Sequence, residues 1–197
     1  MSDKVLLVNA CMRGKNESRT YDLANFFLKK YMEIHKDAEL KEIILEELNL
    51  KPFDKNMLEE RDRAVKEGKD KTIINLAEDF SKYDMIVVAA PYWDMMFPSI
   101  LKVFYEYIAV SGVTFKYEAD GTPKGLCNAK KAVYITSAGG YIGGNNYGYD
   151  YTKGLFEFMG IKENYILKAE GLDIYGNDVE EIMNGAKKEA EILSEKI

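Results

Sequence analysis

Three short segments concentrate the groups that can do chemistry. The first is Ala10-Cys11-Met12-Arg13-Gly14-Lys15-Asn16-Glu17-Ser18-Arg19-Thr20, where the hydroxyls of Ser18 and Thr20 sit among the charges of Arg13, Lys15 and Arg19. A helix starting at its end presents unpaired N–H groups and a partial positive charge, which suits a phosphate monoester. Glu17 opposes an anion there unless it points away. The second is Pro91-Tyr92-Trp93-Asp94-Met95-Met96-Phe97-Pro98, nearly free of charge and rich in aromatic and sulfur side chains. A flat, polarisable ring fits between Trp93 and Phe97, with loop amides at its polar edge. The third is Thr136-Ser137-Ala138-Gly139-Gly140-Tyr141, whose glycines let backbone approach a planar ligand closely. Each segment has a plainer reading: a capped helix behind a solvated loop, a patch of local core or interface, a flexible turn. Together they describe a phosphate end, a ring slot and a backbone clamp.

Better-known chemistries fail on spacing or raw material. A nucleotide P-loop needs Gly-x4-Gly-Lys-Ser/Thr, and Gly14-Lys15-Asn16 lacks both the first glycine and the hydroxyl. A Cys-x5-Arg phosphatase loop counted from Cys11 lands on Glu17 instead of an arginine. A receiver-type phosphoacceptor needs acidic residues at the first strand's end, where Asn9-Ala10 supplies none. One histidine and two cysteines leave almost nothing for a zinc site, a His-dependent triad or a disulfide framework. The net charge of −6 argues against a nucleic-acid partner. No run reaches the roughly 18 apolar residues of a membrane helix. The start Met1-Ser2-Asp3-Lys4 lacks the features of a signal peptide, so the expected location is cytoplasmic. The chemistry is therefore expected to come from a bound cofactor.

The elements that hold these segments follow from pattern. Lys4–Asn9, Met85–Ala90 and Lys131–Thr136 are short apolar runs without alternation, the mark of strands buried on both faces. A weaker strand is expected over Glu39–Glu46, and a fifth strand over Tyr165–Glu170. Helices are expected after Ser18 or Thr20, over Lys71–Phe80, Ser99–Val110 and Tyr151–Met159, and after the cap Asp178. Leu50–Gly68 reads as charged and irregular, and Ser111–Gly125 as turns. With 47% hydrophobic residues over 197, there is enough apolar side chain for one core, and one α/β domain over 1–197 is expected. Alternating strands and helices predict a parallel sheet with helices on both faces. Its ligand site then lies outside the carboxyl ends of the strands, which is where all three segments fall.

At these residues the sequence resembles the flavodoxin-like NAD(P)H:quinone reductases, specifically the FMN-dependent NADH azoreductases. The resemblance runs through Ala89-Ala90-Pro91 to Lys102, Gly112–Tyr117, Lys130-Lys131-Ala132, Ile135–Gly140, Phe158–Ile161 and Ala169-Glu170-Gly171, in that order. It implies a doubly wound five-stranded sheet in the order 2-1-3-4-5, and a homodimer with FMN at its interface. Two electrons would pass from NADH or NADPH to a quinone or azo compound by a ping-pong mechanism, the flavin N5 carrying the hydride. By resemblance, Ser18, Thr20 and the Arg19 amide hold the phosphate. The ring rests on Tyr92, Trp93, Asp94 and Met95, and Ser137, Ala138, Gly139 and Gly140 approach its other edge. Tyr117 and Phe158 line the substrate side, with Tyr141 a candidate acid there. Three positions depart from the family pattern: Asp94 where asparagine is common, Ala10-Cys11 where serine is common, and Ala138 where some relatives carry charge. An electron carrier or redox sensor with little turnover is the alternative of another class, and an interaction domain that has lost its cofactor is a third.

Overall fold

The computed structural model describes residues 3–68, 71–144 and 146–197. Its centre is a parallel sheet of β1 (Lys4–Asn9), β2 (Glu39–Ile44), β3 (Met85–Ala89), β6 (Lys131–Ser137) and β7 (Glu163–Ala169), in the order β2-β1-β3-β6-β7. This is the predicted 2-1-3-4-5 order, because β4 (Phe115–Tyr117) and β5 (Pro123–Gly125) form a separate antiparallel hairpin. Alternate residues of each strand feed opposite cores, as the pleat requires. Leu6 and Val8 enter one core, Val5 and Leu7 the other. One core is closed by α1 (Arg19–Ile34) and α6 (Val179–Lys196). The other is closed by α3 (Asn75–Phe80), α4 (Ser99–Ile108) and α5 (Tyr147–Phe158), through Phe80, Leu101, Phe104, Tyr105 and Phe156.

Register decides where the loops open. Asn9 stands beside Ala89, and Ala89 beside Ile135, so β1, β3 and β6 end nearly level. From β1 the chain crosses to β2 on one side and returns to β3 on the other. Its loops therefore separate between β1 and β3, the topological switch point.

The structure corrects four local expectations. Leu50–Gly68 is not irregular, since Lys55–Glu67 forms α2. Asp54 caps it by accepting from Met57 N at 2.9 Å, and Gly68 ends it at φ 66°. Only Ala64 of that helix is buried, so no apolar stripe announces it. Ser111–Gly125 holds the β4–β5 hairpin rather than turns alone. The helix expected from Tyr151 starts at Tyr147, where the Asn146 side chain accepts from Tyr149 N at 3.0 Å. The helix expected over Lys71–Phe80 opens with a 3-10 turn, Lys71–Ile74, before α3.

The hairpin is seated by direct backbone contact. A Cβ on Gly125 would lie 2.1 Å from Gly160 N and from Met159 C, just past α5. Gly160 has φ +97°, so neither side of that contact can yield cheaply. Gly125→Ala is expected to lower the unfolding free energy by about 1–3 kcal/mol, the range for overpacking. The check is a shifted urea midpoint at an unchanged slope. A loss below about 0.5 kcal/mol would show that the hairpin moves freely.

Candidate functional site

The loop from β1 to α1 is shaped by a polar network at its base. Cys11 N donates to Asn9 Oδ1 at 2.9 Å, and Asn9 Nδ2 donates to Glu42 Oε1 at 2.9 Å. Lys15 Nζ reaches Glu42 Oε2 at 2.6 Å. At the far end Ser18 is the N-cap of α1, its Oγ accepting from Tyr21 N at 3.2 Å. The N–H groups of Arg19 and Thr20 then have no partner among the described residues, as first-turn donors do not. The first turn of α1 thus leaves two backbone donors free among the described residues.

The loop after β3 folds into a two-residue turn. Trp93 N donates to Met96 O at 3.2 Å, and Met96 N to Trp93 O at 2.7 Å. Its central residues Asp94 and Met95 have φ of 49° and 64°. Positive φ at both centres marks a type I′ turn, which favours Asn-Gly. Aspartate tolerates this region, whereas methionine is strained in it. Tyr92 N is spent on Ser137 O at 3.0 Å, so the turn's amides without a partner among the described residues are those of Asp94 and Met95. One expectation fails here. Phe97 does not flank a ring slot, because it is buried and packs edge-on against Tyr105, with centroids 5.5 Å apart.

The loop after β6 is pinned at its sides and open at its tip. Thr20 Oγ1 and Ser137 Oγ are 2.6 Å apart, joining the start of α1 to the end of β6. Ala138 N donates to Ala169 O at 2.9 Å, while Gly139 and Gly140 keep free N–H groups among the described residues. A fourth loop, which sequence reasoning missed, lies beneath. Asp173 N donates to Gly139 O at 2.9 Å, and Gly171 N to Gly140 O at 3.0 Å. A Cβ on Gly139 would fall 2.3 Å from Asp173 Oδ2, so that glycine makes room for a carboxylate. Asp173 Oδ1 holds Arg19 Nη2 at 2.8 Å, and Arg19 Nη1 donates to Leu172 O at 3.2 Å. The aspartate follows Gly171-Leu172, and nothing local marks it as a partner of Arg19.

These loops enclose a cavity of about 180 Å³. Ser18, Arg19, Thr20, Tyr92, Trp93, Ser137, Ala138 and Gly139 line it, all expected. Cys11, Met12, Arg13, Glu17, Pro91 and Asp173 line it as well. Asp94, Met95, Gly140 and Tyr141 do not, and stand at the exposed tips of their loops. Tyr117 and Phe158 lie apart from it, in an aromatic cluster with Phe115 whose ring centroids are 4.5–6.2 Å apart. A recess of about 540 Å³ between Lys41, Leu50, Leu76 and Tyr107 is larger, but it lies away from the loops at the strand ends. No group of three or more metal-ligating side chains occurs among the described residues, and no described helix is long and apolar enough to cross a membrane.

Parallel strand order and a crevice at the switch point define a doubly wound α/β fold. A family profile described as "Flavodoxin-like fold" matches residues 3–193, and the chain belongs to that family. Within it the chain is 35% identical to an FMN-dependent NADH:quinone oxidoreductase of Coprothermobacter proteolyticus, over 97% of this chain and 98% of that one. It is 34% identical to another from Lachnoclostridium phytofermentans, again over 97% and 98%. The chain therefore belongs to the family of FMN-dependent NADH:quinone oxidoreductases. An azoreductase from Bacillus anthracis superposes with a TM-score of 0.88 over 99% of this chain and 100% of that one, at 24% identity, and shares the fold.

Two measurements test the local physics. Met95→Gly removes a left-handed methionine and is expected to raise the unfolding free energy by about 0.5–1 kcal/mol in urea. An equal or lower stability would mean that Met95 makes compensating contacts. Burial pushes the Cys11 thiol up to about 11 and the Cys127 thiol up to about 12. Both stay protonated near neutrality, so a disulfide reagent at pH 8 is expected to label neither in the native chain and both in urea. Rapid native labelling of Cys11 would contradict the buried geometry.

Proposed function

We propose that this chain is an FMN-dependent oxidoreductase that takes two electrons from NADH or NADPH and passes them to quinones or azo compounds by a ping-pong mechanism. The observation that carries this reading is the set of N–H groups without a partner among the described residues, those of Arg19, Thr20, Asp94, Met95, Gly139 and Gly140, on three loops that line or rim one crevice. Backbone donors at a helix start fit a phosphate, and donors at two loop tips fit the polar edge of a planar ring. Bound there, FMN supplies hydride transfer, chemistry that no side chain of the cavity provides.

The chain's own groups bind and orient. Ser18 and the amides of Arg19 and Thr20 hold the phosphate, with the Thr20–Ser137 contact fixing the wall behind it. Tyr92 and Trp93 offer apolar surface to the ring. Gly139 and Gly140 allow backbone to reach it without a Cβ in the way. Asp94 places a carboxylate near the ring's polar edge but stands exposed, so water screens its charge. Protonated Cys11 contributes packing and no nucleophile.

A second copy of the chain completes the site in this reading. The cavity is smaller than the roughly 300–1,000 Å³ typical of a small-molecule site, so one chain encloses only part of the ligand. Around the site, Trp93, Met95, Tyr141 and Tyr147 are 38%, 57%, 70% and 47% exposed, an apolar rim that a homodimer would cover.

The test is an absorbance spectrum of the purified protein reconstituted with FMN, then anaerobic addition of NADH and NADPH. The expected result is a bound flavin spectrum that bleaches with a nicotinamide and returns on adding menadione or an azo dye, with parallel initial-rate lines. Failure to retain FMN would overturn the reading. Bleaching without multiple turnover would favour an electron carrier.

A further inference from the structure

Three cations sit in the loop between β1 and the first turn of α1, and two of them are already neutralised. Lys15 is paired with Glu42 at 2.6 Å and does not line the cavity. Arg19 is held on two sides, by Asp173 at 2.8 Å and by the Leu172 carbonyl at 3.2 Å. Both of its acceptors belong to the loop after β7, so its planar fork is spent on joining that loop to α1. Arg13 differs from both. It lines the cavity, its side chain is exposed, and it has no ion pair or hydrogen bond among the described residues. Its carrier is a tight turn, in which Gly14 N donates to Cys11 O at 3.3 Å with Gly14 at φ +78°.

Charge accounting assigns the roles. Arg13 and Arg19 are matched on the cavity wall by Glu17 and Asp173. The Arg19–Asp173 pair cancels itself, which leaves Arg13 to attract an anion and Glu17 to repel it. A phosphate monoester carries about −1.5 to −2 charges at neutral pH and accepts charge-assisted bonds from a guanidinium fork. We infer that Arg13 supplies the side-chain charge that binds the cofactor phosphate, whereas Arg19 is a positioning residue that clamps α1 to the loop after β7 and meets the phosphate only through its N–H. This rests on the FMN reading and adds to it which cation faces the phosphate.

The experiment compares FMN with riboflavin, which lacks the phosphate, on the full chain stripped of cofactor. Quenching of flavin fluorescence gives both affinities, each at low and high salt. Arg13→Ala is expected to weaken FMN binding about tenfold or more, as for loss of a charged hydrogen bond, and to leave riboflavin binding unchanged. Its FMN affinity should also depend less on salt. Arg13→Lys should recover part of the loss, and Glu17→Gln should tighten FMN a few-fold without touching riboflavin. The double variant Arg19→Gln/Asp173→Asn, which removes the pair without changing the net charge of the wall, should weaken both flavins by a similar factor and keep the wild-type salt dependence, because it loosens the wall rather than removing the phosphate's counter-charge. An unchanged FMN-to-riboflavin ratio in Arg13→Ala would overturn the inference. So would a selective loss of FMN, or of its salt dependence, in the Arg19→Gln/Asp173→Asn double variant. If riboflavin binds too weakly to measure, the salt dependence of Arg13→Ala and of the double variant decides alone. A wild-type chain that binds neither flavin overturns the FMN reading itself, and this assignment with it.

Discussion

The site depends on one constraint: in a parallel sheet every strand delivers its carboxyl end to the same edge. The backbone must then leave the ladder there, and the groups it leaves unpaired accumulate on that edge. In this chain the levelling of Asn9, Ala89 and Ile135 brings three loops to one crevice, and the crossover between β2 and β3 holds it open. Helix α1 starts at the same edge and adds its own free donors. The crevice is thus a by-product of topology before any side chain is chosen. Side chains decide which of the exposed donors stay free.

That decision is made by a few long-range contacts. Thr20 meets Ser137 across 117 residues of sequence, and Arg19 meets Asp173 across 154. Asp173 also anchors Gly139 through its own amide. The α1 start, the β6 loop and the β7 loop become one unit, although no single contact in it is strong. The Arg19–Asp173 pair is partly exposed, and such pairs contribute about 0–1 kcal/mol to folding. Its value is geometric, because it keeps loop backbone from satisfying itself.

How much of this was legible follows the same division. Strands buried on both faces announce themselves as runs such as Val5-Leu6-Leu7-Val8, and Ser18 and Asp178 mark helix starts by type and place. The sheet order and most of the cavity wall follow from those signals and from the family resemblance. Helix α2 was hidden because a helix that buries only Ala64 has no stripe to read. The β4–β5 hairpin was hidden by its brevity and by Lys116 and Lys124, which read as surface turn. Phe97 was misplaced because an aromatic residue in a loop looks the same whether it faces a ligand or the core. Asp173 was missed because its role exists only through Arg19, far away in sequence. Long-range partners leave no periodicity.

The turn at Asp94 and Met95 shows what such a site demands of the chain. Two left-handed residues without glycine cost on the order of a kcal/mol or more, and a glycine at Met95 would relieve part of it. The strained geometry instead pairs Trp93 with Met96 and leaves the next two amides projecting at the tip. A relaxed loop could bend those N–H groups back onto its own carbonyls. Held in this form they stay available, beside an exposed Trp93 at the rim of the crevice. Methionine at the second position also keeps an apolar side chain at the rim, where a partner surface or a planar ring can cover it. Local strain, free donors and exposed apolar surface thus coincide at one turn. A fold optimised only for its own stability would remove all three.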